Sequence, residues 1–180
     1  YCDIGYVAGD LNSAEVSEEA VRQAIQSFGR LDSVFNVAGI SGRSYGDGPI
    51  HECTEDGWEI TINTNARSTY RICHHALQAM INQPRGPNGN RGTVLNMSSV
   101  LASSPEPVHF ATHAYAASKA AIIGLSTAMA SYYAPFGISV NVVAPGLVET
   151  PMARRAAQDH TVRRVMETKQ PLARGPLSAE

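Results

Sequence analysis

The sequence predicts an α/β protein built on a parallel sheet, and three observations carry that expectation. Short runs of apolar and β-branched residues alternate with helical patterns of about fifteen residues or more, the order produced when strands are linked by crossover helices. The strand candidates are mostly apolar, which suits a sheet with both faces covered by helices. Polar side chains then gather just past the strands, at Asp10, Asn36, Ser98, Ser99 and Thr150. In parallel sheets, chemistry collects at those carboxyl ends.

Taken in order, Ile4 to Asp10 reads as a short strand ending at an acid. Residues 14–28 place Val16, Ala20, Val21, Ala24, Ile25 and Phe28 at helical spacings, with Gly29 where a C-cap belongs. Ser33 to Ala38 is a mostly apolar strand. A long helix spans 55–81, with Thr54 as N-cap and Glu55 and Asp56 in its first turn. A loop rich in Pro, Gly and Asn (83–92) leads into a strand at 93–97. The next helix runs from Thr112 to Ala134, followed by a strand from Ser139 to Ala144 that Pro145-Gly146 ends. The tail is helical around 152–168. With no internal repeat and no linker, residues 1–180 read as a single domain.

The chain has 180 residues, 43% hydrophobic and 17% charged, enough for one soluble domain with a real core. Its 14 basic and 16 acidic residues form no run and leave a net charge of −2, which argues against a nucleic-acid or membrane-surface partner. No apolar stretch approaches the roughly 20 residues needed to span a bilayer. Cys2, Cys53 and Cys73 have no pattern and read as reduced thiols of a cytoplasmic protein. Cys73-His74-His75 is not expected to bind metal, because adjacent helix residues point in different directions.

Within the segment HAYAASKAAIIGLS (113–126), Tyr115 and Lys119 stand four apart on an otherwise apolar helix. Residues at that spacing are surface neighbours. An ammonium beside a phenol favours the phenolate, which suits a tyrosine exchanging a proton with an alcohol or carbonyl oxygen. A nearby serine hydroxyl could hold that oxygen while charge develops on it. The spacing alone is a weak signal.

Five ordered stretches strengthen it: DSVFNVAG (32–39), GWEITINTNARS (57–68), TVLNMSSV (93–100), YAASKAAIIGLS (115–126) and ISVNVVAPGLVETPM (138–152). With these, the chain resembles the short-chain dehydrogenase/reductase family over essentially its whole length. The resemblance implies a Rossmann-like, doubly wound parallel sheet and an NAD(P)-dependent oxidoreductase interconverting a secondary alcohol and a ketone. It makes Tyr115 the acid/base and Ser99 the holder of the substrate oxygen, with Ser103 as competitor. Lys119 would lower the Tyr115 pKa and bind the nicotinamide ribose, and Asn65 would support a proton relay to Lys119 through water. On the cofactor side, Asp10 and Leu11 would meet the adenine, while Asn36, Ala38 and Gly39 would line the adenosine ribose. Pro145 and Gly146 would turn the chain so that the Val148 backbone and the Thr150 side chain bind the carboxamide. Val37 departs mildly from the family's usual second Asn.

The Gly-rich stretch GRSYGDG (42–48) is a decoy for a phosphate loop. It follows the wrong strand, and the next helix starts only at about 55, so no helix N-terminus is aimed at a phosphate. It reads instead as a loop near the substrate pocket. Against the family pattern, the first two strands with their Gly-rich turn, and the last strand, are missing from this chain. The choice between NAD and NADP rests on those parts. A catalytically silent dinucleotide-binding relative and a 3-ketoacyl reductase of fatty-acid synthesis are the alternatives. The resemblance also implies a homodimer or homotetramer joined through the helices at 55–81 and 113–134.

Without a phosphate turn, charge-assisted hydrogen bonds of roughly 1.5–3 kcal/mol each are lost to the pyrophosphate. Residues 1–180 alone should therefore bind NAD or NADP at best in the high-millimolar range. Calorimetric titration checks this, and a micromolar dissociation constant for either cofactor would overturn it.

Overall fold

The Ser13 hydroxyl accepts the Val16 N–H and opens helix α1 (Ala14–Phe28), and Gly29 closes it by donating to the Ile25 carbonyl. The computed structural model describes residues 3–179, so Cys2 lies outside the described residues. Three strands follow in the expected places: β1 (Ser33–Asn36), β2 (Gly92–Met97) and β3 (Ile138–Val143). All pair in parallel, in the order β1-β2-β3, with Asn36 opposite Asn96 and Met97 opposite Val143. Strand β1 stops two residues before the expected Ala38.

The strand expected over Ile4–Asp10 does not form. Residues 3–10 carry neither helix nor strand, and Ile4 and Tyr6 are 87% and 85% exposed. A strand needs a neighbour to satisfy its backbone groups. None of the described strands pairs with this segment.

The long helix expected at 55–81 is present but interrupted. Thr54 caps α2 (Glu55–Ile62) by accepting the Gly57 N–H at 3.0 Å. A π-turn at Asn63–Arg67 then joins it to α3 (Ser68–Asn82). The cause is legible in the buried side: Gly57, Thr61, Asn65, Thr69, Cys73 and Leu77 are all buried, each four residues after the last. In an uninterrupted α-helix each step of four overshoots one turn by about 40°, so five steps would carry the row about 200° around. One wider turn takes back about half of that drift and keeps Asn65 facing inward.

Helix α4 (His113–Tyr133) matches its expected span. The tail differs from a single helix over 152–168. It breaks into α5 (Arg154–Gln158) and α6 (His160–Lys169), because Asp159 adopts an extended backbone and caps α6, accepting the Thr161 N–H at 2.8 Å. No helix among the described residues is long and apolar enough to cross a membrane.

The expectation of two covered faces holds for one face only among the described residues. Alternate residues Val34, Val94, Ile138 and Val140 point into a core with Cys73, Leu77 and Met80 of α3 and Met129 of α4. Their neighbours Phe35 and Val143 face outward and are half-exposed. Strand order explains this. Consecutive parallel crossovers of one hand, stepping in one direction across the sheet, put every helix on the same side.

Under α3 and α4 the core is partly polar. Asn36 donates to the Asn96 carboxamide oxygen at 2.8 Å, and Asn96 donates to the Ser126 hydroxyl at 2.9 Å. The Cys73 thiol, pushed up to about 11 by burial, lies against both asparagines. Asn96→Ala strands two of these partners, so it should cost about 2–4 kcal/mol of unfolding free energy. Urea denaturation measures it, and a loss below about 0.5 kcal/mol would show that the ladder contributes nothing.

Candidate functional site

Because the strands are parallel and in register, their carboxyl ends open onto one edge. Asn36 to Ile40, Met97 to Ser99 and Val143 to Gly146 all leave the sheet there. Helix α4 lies against β2 and β3 with its N-terminal half at this edge. The Ser98 hydroxyl donates to the Lys119 carbonyl at 2.8 Å and ties the helix to the end of β2.

Three of the four candidate catalytic residues meet here. Lys119 is buried, and its ammonium donates to the Met97 carbonyl at 3.0 Å. The same nitrogen lies 5.7 Å from the centre of the Tyr115 ring, so the four-residue spacing does put both on one face. The Ser99 hydroxyl accepts the Leu101 N–H at 3.2 Å and is near enough to the Tyr115 phenol to lower its pKa. Ser103, the competitor, is exposed at the end of a short 3-10 turn over Val100–Ala102.

The electrostatics differ from the expected pattern. Burial raises the Tyr115 pKa above its ordinary value, and the Ser99 hydrogen bond pulls it partly back. Lys119 does not lower it, and burial pulls the Lys119 ammonium itself down to about 8. An ammonium has three donors, and one is used on Met97.

Asn65 is fully buried at the π-turn. Its side chain binds the Ile40 backbone both ways, accepting the N–H at 2.8 Å and donating to the carbonyl at 3.0 Å. It also donates to the Ser118 hydroxyl at 2.9 Å, which in turn donates to the Tyr115 carbonyl at 2.7 Å. Asn65 therefore fixes backbone on both sides of Lys119. Gly39 sits in the same corner, where a Cβ would lie 2.8 Å from the Asn65 Oδ1 and 3.4 Å from the Lys119 Nζ. Only glycine allows this approach.

The candidate cofactor residues fall into two groups. Leu11, Asn36 and Ala38 line a cleft of about 290 Å³ beside β1, with Ser68, Thr69 and Ile72 on its helical wall. Asp10 is exposed and turns the chain into α1, accepting the Asn12 N–H at 2.8 Å; it ends no strand. The Asn36 Nδ2 is committed to Asn96 and Cys73, which leaves its Oδ1 and its backbone to serve the cleft.

On the other side, Pro145 accepts the Val100 N–H at 3.0 Å. Val148 bridges Leu177 through the Leu147 carbonyl and the Glu149 N–H, which leaves its own N–H and carbonyl outside that bridge. Gln170 braces the turn, donating to the Leu147 carbonyl at 3.2 Å, and a Cβ at Gly146 would collide with it. The Thr150 hydroxyl accepts the Ala153 N–H at 3.3 Å.

Sequence reasoning missed Ser118, Asn96 and Asp47, all buried. Ser118 had a local signal, one turn after Tyr115 beside the lysine. Asn96 had one as well, as an amide inside an apolar strand. Asp47 had none.

A family model described as Enoyl-(Acyl carrier protein) reductase matches residues 2–179. Acetoacetyl-CoA reductase of Acinetobacter sp. (strain RA3849) is 33% identical over 178 residues, covering 99% of this chain and 66% of the relative. Dehydrogenase/reductase SDR family member 6 of Xenopus laevis is 36% identical over 141 residues, covering 78% of this chain and 53% of the relative. A solved structure of ElxO with NADP bound superposes with a TM-score of 0.80 at 27% identity, over 97% of this chain and 65% of that one. The chain thus spans about two thirds or less of the length of these relatives.

The buried lysine gives a pH test. Below pH 8 Lys119 is protonated in the folded and unfolded chain alike, and the full burial cost is present. Between about 8 and 10.5 the unfolded chain still holds the proton that the folded one has released, so this cost fades as pH rises. The stability gap between Lys119→Met and the unsubstituted chain should therefore close by about 2 kcal/mol between pH ~7 and ~9.5. Urea melts at the two pH values check this.

Proposed function

The chain belongs to the short-chain dehydrogenase/reductase family, and on that premise we propose that it carries the acid/base centre of an NAD(P)-dependent oxidoreductase interconverting a secondary alcohol and a ketone. One observation carries the reading: the Tyr115 phenol lies within the influence of Ser99, and its ring centre lies 5.7 Å from the buried Lys119 ammonium on the same helix face. Together these supply a proton donor, an oxygen anchor and a cation at the carboxyl edge of a parallel sheet.

The residues present suit a nicotinamide dinucleotide. Lys119 has ammonium donors beyond the one on Met97, which suit ribose hydroxyls. The Val148 backbone and the Thr150 hydroxyl would hold the carboxamide, with Pro145 and Gly146 setting the turn. Leu11, Asn36, Ala38 and Gly39 would flank the adenosine half, with Asp10 at its rim. The NADP bound in the ElxO structure supports a dinucleotide of this kind. When bound, the nicotinamide supplies the hydride donor or acceptor.

Each chain residue then has a task. In ketone reduction the Tyr115 O–H bond breaks as its proton passes to the substrate oxygen, and Ser99 hydrogen-bonds that oxygen. A phenol is protonated near neutral pH, the form that reduction needs, and burial shifts Tyr115 further that way. Lys119, still protonated near neutral pH, would stabilise the phenolate that results. Asn65 holds the Ile40 and Ser118 contacts that frame Lys119, and in that place would support a proton relay to Lys119 through water.

The name acetoacetyl-CoA reductase on one relative supports a 3-oxoacyl thioester as the ketone. Exposed Trp58, Tyr70 and Tyr132 on α2, α3 and α4 support a homodimer or homotetramer through those helices. The free thiols of Cys53 and Cys73 suit a cytoplasmic protein.

Tyr115→Phe, in the protein that carries this chain, should lower NAD(P)-dependent turnover by about 100-fold or more while leaving cofactor affinity within about twofold. Paired activity and cofactor-fluorescence measurements decide it. Turnover kept within about tenfold would remove Tyr115 from the role.

A further inference from the structure

Helix α4 starts without a cap of its own. Thr112 stands at the N-cap but makes no side-chain bond to the helix. Its hydroxyl is aimed at the Phe110 carbonyl, 3.5 Å away. Two of the N–H groups a helix start leaves unpaired are instead taken by Asp47. One carboxylate oxygen accepts the Ala114 N–H at 3.0 Å and the other the Tyr115 N–H at 2.9 Å. A carboxylate there also meets the positive end of the helix dipole.

Asp47 arrives from a loop 68 residues upstream of Tyr115 and is only 5% exposed. The loop has little freedom. Gly42 takes φ 76°, and a Cβ there would lie 2.1 Å from the Thr61 hydroxyl of α2. The Asp47 N–H donates to the Gly42 carbonyl at 3.2 Å, and the Thr54 N–H to the Gly46 carbonyl at 3.1 Å. On the α4 side, the His113 N–H donates to the Gly48 carbonyl at 3.1 Å, and the His113 Nδ1 accepts the Ile50 N–H at 3.0 Å. This is what the stretch GRSYGDG builds: a rigid arm between α2 and α4 with a carboxylate at its tip.

We infer that Asp47 is a positioning residue for Tyr115, its carboxylate fixing the backbone from which the phenol reaches Ser99. Tyr115 is held at its N–H by Asp47 and at its carbonyl by Ser118, with its phenol within the influence of Ser99. The functional weight of this grip rests on Tyr115 as the acid/base, but the grip itself can be measured without turnover. Titratable neighbours of the pair are Lys119 and His113 on α4 and Cys53, whose Sγ is 3.9 Å from the Asp47 carboxylate.

The test is a double-mutant cycle read by NMR on chain labelled at the tyrosine Cζ, with the Tyr115 signal assigned by Tyr115→Phe. Ser99→Ala removes the hydroxyl that lowers the phenol, so its titration midpoint should rise. In an Asp47→Ala background the same Ser99→Ala change should move the midpoint less than half as far. An equal shift in both backgrounds overturns the proposal, because a carboxylate that only stabilised the helix would leave the Ser99 contact intact. Should Asp47→Ala fail to fold, the cycle is run with Asp47→Asn, which keeps shape and loses one acceptor. Hydrogen exchange on the unsubstituted chain gives a check that needs no variant. The Ala114 and Tyr115 amides should exchange at least about tenfold more slowly than unprotected amides, and free exchange overturns the proposal. Turnover that survives Tyr115→Phe would remove the catalytic role and leave this cycle standing, so the two failures are distinguishable.

Discussion

The Lys119 ammonium resting on the Met97 carbonyl is the contact around which the carboxyl edge is organised. A cation buried there obliges α4 to pass close over the end of β2, and Ser98 locks that crossing through the Lys119 carbonyl. It obliges the chain leaving β1 to run without a side chain at Gly39, in the corner shared with Asn65. It also places the Tyr115 ring within a cation's reach. Strand register does the rest, since β2 is central and both neighbours end level with it.

Burying a charge with one hydrogen-bond partner is costly, and the depressed Lys119 pKa is the sign of that cost. The sheet offsets it with a polar layer just beneath. Asn36, Asn96 and Ser126 hydrogen-bond in sequence between strands and helix, where apolar side chains would have packed without fixing register. Specificity of alignment is thus obtained in the layer below the site, and the strain of a buried lysine is confined to the layer where chemistry is proposed.

Local pattern made most of this legible. Helix ends with local caps, Gly29 closing α1 and Thr54 opening α2, were visible because cap and helix are neighbours in sequence. Tyr115 and Lys119 were visible because one helical turn joins them. What stayed hidden depends on distance or on absent neighbours. The cap of α4 comes from the far side of two helices and a strand, so no window of residues contains it. The segment Ile4–Asp10 has strand composition, but pairing decides strands and composition only permits them. The covered and open faces of the sheet follow from strand order, which the alternation of elements leaves undetermined. The phenol pKa was misjudged in its balance, since charge spacing is legible in sequence and depth of burial is not.

The π-turn between α2 and α3 changes how that whole stretch has to be mapped. A single helical wheel drawn through residues 55–82 would scatter its inward positions over most of the circle and suggest a helix with no apolar side. Two wheels, phased separately on either side of Asn63–Arg67, recover one continuous inward arc. Side chains before and after the turn that share an angle on a single wheel do not share a neighbour in space. Mutational scans of this region therefore carry a phase jump at Asn65, and surface redesigns or cross-links planned on a continuous helix would miss their targets by about a quarter of a turn.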